Sequence, residues 1–203
     1  MRREVFLSSV TVLAVASLVS AQVRRGRGIV PESSIERLED LGVRMHTNYL
    51  ILAPEGAVKP AATPGGETPA SLGCIYGVVS SPVTGCPIAT ATEVPTGGSG
   101  VIVIVDAYDD PSAATDMATF STEFGLPTPN FKVIYASGTK PANACSSGWE
   151  VEESLDIEWA HAMAPNAQIV LMEASSNQNS ALFAAVRRPM HTSRPTVAKA
   201  RYR

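Results

Sequence analysis

Two acids four residues apart, Glu152 and Asp156, stand in the run Gly148-Trp-Glu-Val-Glu-Glu-Ser-Leu-Asp-Ile-Glu-Trp-Ala-His-Ala-Met-Ala-Pro165. On an α-helix, side chains at this spacing lie on one face with Cβ atoms about 5–6 Å apart, so both carboxyls can enter one pocket. Two carboxylates that close do not both ionise readily; the pair shares a proton, one member titrating high and the other low. A raised proton affinity is what a carboxylate needs to serve as general base in acid solution. The same spacing is also common on solvated helix faces, where Glu150, Glu153 and Glu158 would join the pair. Glu153 and Asp156, three apart, share a face as well, so helix geometry alone does not choose between Glu152 and Glu153.

The elements that must position these acids alternate along the chain. Gly100-Val-Ile-Val-Ile-Val105 is a continuous β-branched run, expected as a strand buried on both faces of a parallel sheet. Asp109-Asp-Pro-Ser112 caps a helix to about Phe124, ended by Gly125 and Pro127. Phe131 to Tyr135 reads as a second strand, the acidic helix follows, and Gln168 to Met172 reads as a third strand. Ser175 or Ser176 starts a last helix through Val186. Strand and helix in alternation predict an α/β fold with a parallel sheet and helices on both faces. Upstream, Ile35, Leu38 and Leu41 form a helical stripe within Ser33 to Val43, and His46 to Leu52 reads as a short strand. Pro54 to Pro69 is a Pro, Gly, Ala and Thr linker or processing segment.

The chain has 203 residues and a formal net charge of −3, which favours no particular partner and gives no reason to expect nucleic acid. Residues 1–21 read as a secretory signal: Arg2 and Arg3, an apolar stretch from Val5 to Val19, and Val19-Ser20-Ala21 at the cleavage point. No other segment is apolar and long enough to span a bilayer, so a secreted or extracytoplasmic protein is expected. Export makes disulfides admissible, and Cys74 and Cys86, close together in a turn-rich stretch, are the first pair to expect. Cys145 is then left over. No Cys-x-x-Cys or neighbouring His supports a metal site.

Three blocks in order carry a specific resemblance: Gly100-Val-Ile-Val-Ile-Val-Asp-Ala-Tyr-Asp-Asp-Pro111; Thr119-Phe-Ser-Thr-Glu-Phe-Gly-Leu-Pro127; and Trp149 to Asn166 with Ile169-Val-Leu-Met-Glu-Ala174. Together they resemble the amino-terminal part of the catalytic domain of the sedolisin family, the serine-carboxyl peptidases with a subtilisin-like fold. The likeness spans residues 69–186. It implies a partial subtilisin-like parallel sheet and exported endopeptidase activity at acid pH through an acyl-enzyme on serine. It also implies protein or peptide substrates, with Glu152 as the base that takes the serine proton and Asp156 as the residue that holds and tunes it. Residues 22–68 would then be a propeptide-like segment and linker.

In that family an oxyanion-stabilising Asp, a Gly-Thr-Ser nucleophile and a calcium site follow later, and no such segment occurs here. The chain is therefore expected to carry no cofactor and to be inactive alone. Ser137-Gly-Thr-Lys140 has Lys where the serine would stand and precedes the acidic helix, so it reads as a loop. An alternative Ser-His-Asp reading would pair Asp106 with His161. Asp106 is followed by Ala-Tyr and His161 lacks a Gly-Thr neighbour, so capping and packing roles are expected for them instead. Trp149 and Trp159 are likewise read as packing residues.

Residues 187–203 hold 6 of the 16 Lys and Arg residues and no acid, and they follow neither a helical nor a strand period. A disrupted reading frame near Val186 is the expectation. The alternative is a non-catalytic exported binding module that uses this basic tail.

Overall fold

Gln168 to Ala174 carries the centre of the fold, because it is the strand whose residues are almost all buried. The computed structural model describes residues 27–53, 66–144 and 147–188. The segment expected to be a secretory signal, residues 54–65, Cys145 and most of the basic tail lie outside them. The described elements are β1 (Arg27–Ile29), β2 (Ile51–Ala53), α1 (Pro69–Ile75), β3 (Val101–Ala107), α2 (Ala113–Glu123), β4 (Asn130–Tyr135), α3 (Trp149–Met163), β5 (Gln168–Ala174) and α4 (Asn179–Arg187). β3, β5 and β4 form a parallel sheet in that order, with Val101 opposite Gln168, Ala107 opposite Ala174 and Tyr135 opposite Glu173.

Alternation along the strands sorts their side chains to two faces. Ile102, Ile104, Phe131, Ile169 and Leu171 meet Ala113 and Met117 of α2 and Ile157 and Ala160 of α3. Val105, Ala107, Ile134, Met172 and Ala174 meet Leu182 and Ala185 of α4, with Trp149 closing the cluster. Met117, Ile157, Ile169 and Leu171 are fully buried. Each such side chain contributes about 1.5–3 kcal/mol. The fold class is therefore α/β, with helices on both faces of a three-stranded parallel sheet. Among the described residues no helix is long and apolar enough to cross a membrane.

Several expectations need correction. The β-branched run of β3 is an edge strand with Val103 exposed, not a strand buried on both faces. The crossover through α3 brings β5 back between its two predecessors, so the later strand takes the centre. Ser33 to Val43 forms no α-helix, only the short 3-10 turns Glu32–Ser34 and Leu38–Asp40. Its stripe has nothing to cover it, Leu38 being 91% exposed, and helix formation in water needs a buried face more than a period. The upstream strand is only Ile51–Ala53, paired antiparallel with Arg27–Ile29. α4 starts at Asn179, after Gln178, rather than at Ser175 or Ser176.

α1 has no apolar period to announce it. It is specified by a capping box in which Thr68 and Ser71 exchange side-chain and backbone hydrogen bonds, with Pro69 in the first turn. Cys74 at its end is joined to Cys86 by a disulfide.

Candidate active site

α3 runs back from the carboxyl end of β4 to the start of β5, so its first turns lie at the carboxyl end of the parallel strands, where α/β proteins gather functional groups. Gly148 precedes it with a φ of 85°, a left-handed conformation that suits glycine. A side chain there would also meet Ser33 and Tyr49. The inward stripe of α3 is Trp149, Glu153, Ile157 and His161, successive positions four apart.

That stripe separates the two glutamates that helix spacing could not. Glu153 is turned fully into the protein, whereas Glu152 is half-buried and Asp156, four residues on, is exposed. Burial holds the Glu152 carboxyl above the ordinary range, and the negative charge of Asp156 adds to the effect. Burial alone raises Asp156. Beneath them, at the end of β3, Asp106 is pushed up to about 7, first by burial and then by the charges of Asp156 and Glu152. The three acids thus feel one another, two at the surface and one below.

The other candidate residues are placed elsewhere. His161 is wholly buried, and its Nε2 donates to the Pro127 carbonyl oxygen at 3.0 Å, which leaves Nδ1 without a partner. Burial lowers its proton affinity. Neither ring nitrogen is hydrogen-bonded to Asp106, so the His–Asp pairing of the alternative triad is not formed. Asp110 shapes the turn before α2, Oδ1 accepting from the amide and hydroxyl of Ser112 at 2.9 and 2.8 Å, but the N-cap Ser112 makes no side-chain capping bond to the helix. Ser137 folds back on Thr139, and Lys140 reaches Asp109 at 3.1 Å, which makes that segment a loop. Trp149 lies in the core and Trp159 meets Phe120 edge-on. Ser154, the hydroxyl nearest in sequence, contacts Asp110 rather than Glu152 or Asp156.

The upstream segment lies against this end of the sheet. Met45 N donates to Asn177 O at 2.8 Å and Asn179 N to Val43 O at 2.9 Å, with Arg44 and Gln178 in an antiparallel bridge. Tyr49 Oη donates to Gly148 O at 2.7 Å. Burial raises the Tyr49 phenol, the hydrogen bond to Ser33 opposes this, and Glu150 and Glu152 add to the rise.

Two acids that no motif announced are as buried as any core residue: Glu153 and Glu173. Glu153 could have been found from its place between Trp149 and Ile157 on the inward stripe. Glu173 ends the apolar run of β5 on the α3 side of the sheet. Among the described residues no group of three or more His, Cys, Asp or Glu is arranged to hold a metal ion.

Chemically, the arrangement offers an accessible carboxylate of raised proton affinity with a second carboxylate beside it, able to accept a proton from a hydroxyl in mildly acid solution. Compared with protein-family models, curated proteins and solved structures, the chain finds no match in any of the three.

Proposed function

We propose that this chain is the base-bearing part of an exported serine-carboxyl peptidase of the sedolisin kind, with a sheet that is part of a subtilisin-like one. The observation that supports this best is the division of labour on α3: Glu152 and Asp156 face outward together at the carboxyl end of the sheet while Glu153 faces in. Glu152 would take the proton of a serine hydroxyl as that oxygen attacks a peptide carbonyl, then return it to the leaving amine. Water would release the acyl group by the reverse sequence. Asp156 would hold Glu152 in place, and its charge adds to the burial that raises the proton affinity of the base. Below the titration of Glu152 the base is protonated and the reaction stops, so activity would have an acid limit set by this residue.

The serine and an oxyanion-stabilising group would come from polypeptide outside this sequence. The gene beyond the Val186 codon, read in all frames, is therefore expected to encode a further apolar strand followed by a Gly-Thr-Ser segment. Finding neither overturns the peptidase reading. The chain from Gln22 to Arg203, incubated with an unfolded protein in acid, is expected to give no cleavage. Cleavage that disappears in Glu152→Gln would overturn the assignment of the serine to another segment.

A further inference from the structure

Asp106, Glu153 and Glu173 are buried together where α3 crosses the end of the sheet, with 4%, 0% and 1% of their surfaces exposed. Asp106 and Glu173 are register partners on adjacent strands, and alternation turns both to the face that α3 covers. Glu153 comes down onto them from the inward stripe of the helix. Both carboxyl oxygens of Glu153 and Oδ2 of Asp106 lack a hydrogen-bond partner, while Glu173 lies against the Asp109 carboxyl and the Asp110 backbone amide. An unpartnered buried carboxylate is among the least favourable groups a fold can hold, whereas the protonated acid is neutral and both donates and accepts.

The surroundings are acidic on nearly every side. Glu153 faces Asp106 and Glu173 from the sheet, and Asp109 and Asp110 from the loop after β3. Glu173 faces Asp109, which raises it, and the Asp110 backbone amide and, from the loop after β4, Lys140, which both oppose the rise; Tyr135 is its register neighbour on β4. Asp106 faces Glu152 and Asp156 on α3. Lys140, the cation among these groups, is itself exposed and pairs with Asp109.

We propose that Asp106, Glu153 and Glu173 form an acid latch, which holds the amino-terminal half of α3 on the sheet while protonated and drives it off when ionised. Glu152 and Asp156 ride on that half of the helix, so the latch governs whether they stay in place. It does not depend on the peptidase reading.

Burial, reinforced by neighbouring charge, pushes Asp106 up to about 7, Glu173 to about 8 and Glu153 to about 10. A folded-state value above the unfolded one means that the native state binds the proton more tightly. The latch is fully stabilising below the unfolded carboxyl value of about 4, and its contribution is lost as pH rises through the folded values, starting with Asp106.

The test is thermal unfolding of the full chain, followed by circular dichroism from about pH 4 to about pH 8. The midpoint of the unaltered chain should fall steadily over this interval. Glu153→Gln and Glu173→Gln, which keep the shape and neutrality of the protonated acid, should each flatten the fall, while Glu123→Gln on the exposed side of α2 should leave it unchanged. Infrared spectra at neutral pH should show a carboxylic-acid carbonyl band that weakens in either latch variant, a signature a merely structural role would not produce. A flat profile in the unaltered chain, an unchanged slope in both latch variants, or no acid band at neutral pH would overturn the proposal. So would failure of both glutamine variants to fold in acid, since neither removes the neutral form. Loss of the slope on adding calcium ion would make the three acids a cation site instead.

Discussion

The phenolic hydroxyl of Tyr49 donates to the carbonyl oxygen of Gly148, the residue that opens α3, and so ties the upstream segment to the helix that carries Glu152. The bond is partly buried, and its removal leaves the Gly148 carbonyl without that donor. Tyr49→Phe is expected to weaken the attachment of residues 27–53 by about 1 kcal/mol. Amide hydrogen exchange should show faster exchange at Met45, Thr47 and Asn179 with little change in β5. Unchanged exchange at all three would mean that the attachment does not rely on this bond.

Asp156 raises Glu152 and is the first charge acting on Asp106. Asp156→Asn is therefore expected to lower the titration of both, because each loses a negative neighbour. Glu158, held up to about 7 by burial and then by Asp116 and Asp110, should not move. Carboxyl carbon NMR titrations separate the three. A shift confined to Glu158, or none, would dissolve the electrostatic grouping around Asp106.

Cys74 and Cys86 close a short loop, 12 residues apart in sequence, around the end of α1. Loops of this length restrict the unfolded chain by about 2–3 kcal/mol. The double variant Cys74→Ser with Cys86→Ser should lower the unfolding midpoint accordingly. Limited proteolysis should then cut first between Tyr76 and Ala91, before the sheet opens.

Gly98 has a φ of 95°, and a Cβ there would lie 2.8 Å from the backbone of Ala164, at the end of α3. Gly98→Ala combines a left-handed backbone with a clash against main chain that cannot move aside. It should destabilise by about 1–3 kcal/mol, measured in urea. Gly97→Ala, whose Cβ would meet nothing, is the control.

The α/β class was legible because β4, α3 and β5 carry strong local patterns, and the Cys74–Cys86 bond because the two cysteines are so close. The order of strands was not. Val101 to Val105 looks more like a central strand than Gln168 to Met172 does, but centrality is set by which crossover returns to which side, and no local pattern encodes that. The stripe of Ile35, Leu38 and Leu41 has helical spacing without a partner surface, and it stays exposed in 3-10 turns. At the site, spacing placed Asp156 on a face with Glu152 and with Glu153 alike and did not choose between the two glutamates. The neighbours of Glu153 at four-residue steps, Trp149 and Ile157, marked the face on which it is buried.

The upstream segment touches the rest of the molecule through hydrogen bonds at Val43, Met45 and Tyr49, to Asn179, Asn177 and Gly148. A peptide-bond cut anywhere in residues 54–65 would leave those bonds standing. The product would be a nicked, two-piece complex whose lifetime is set by dissociation of the shorter piece. Any maturation that exposes the Glu152 end of the sheet would then show two kinetic phases, a cleavage followed by a release, and dilution would drive the second to completion without altering the rate of the first.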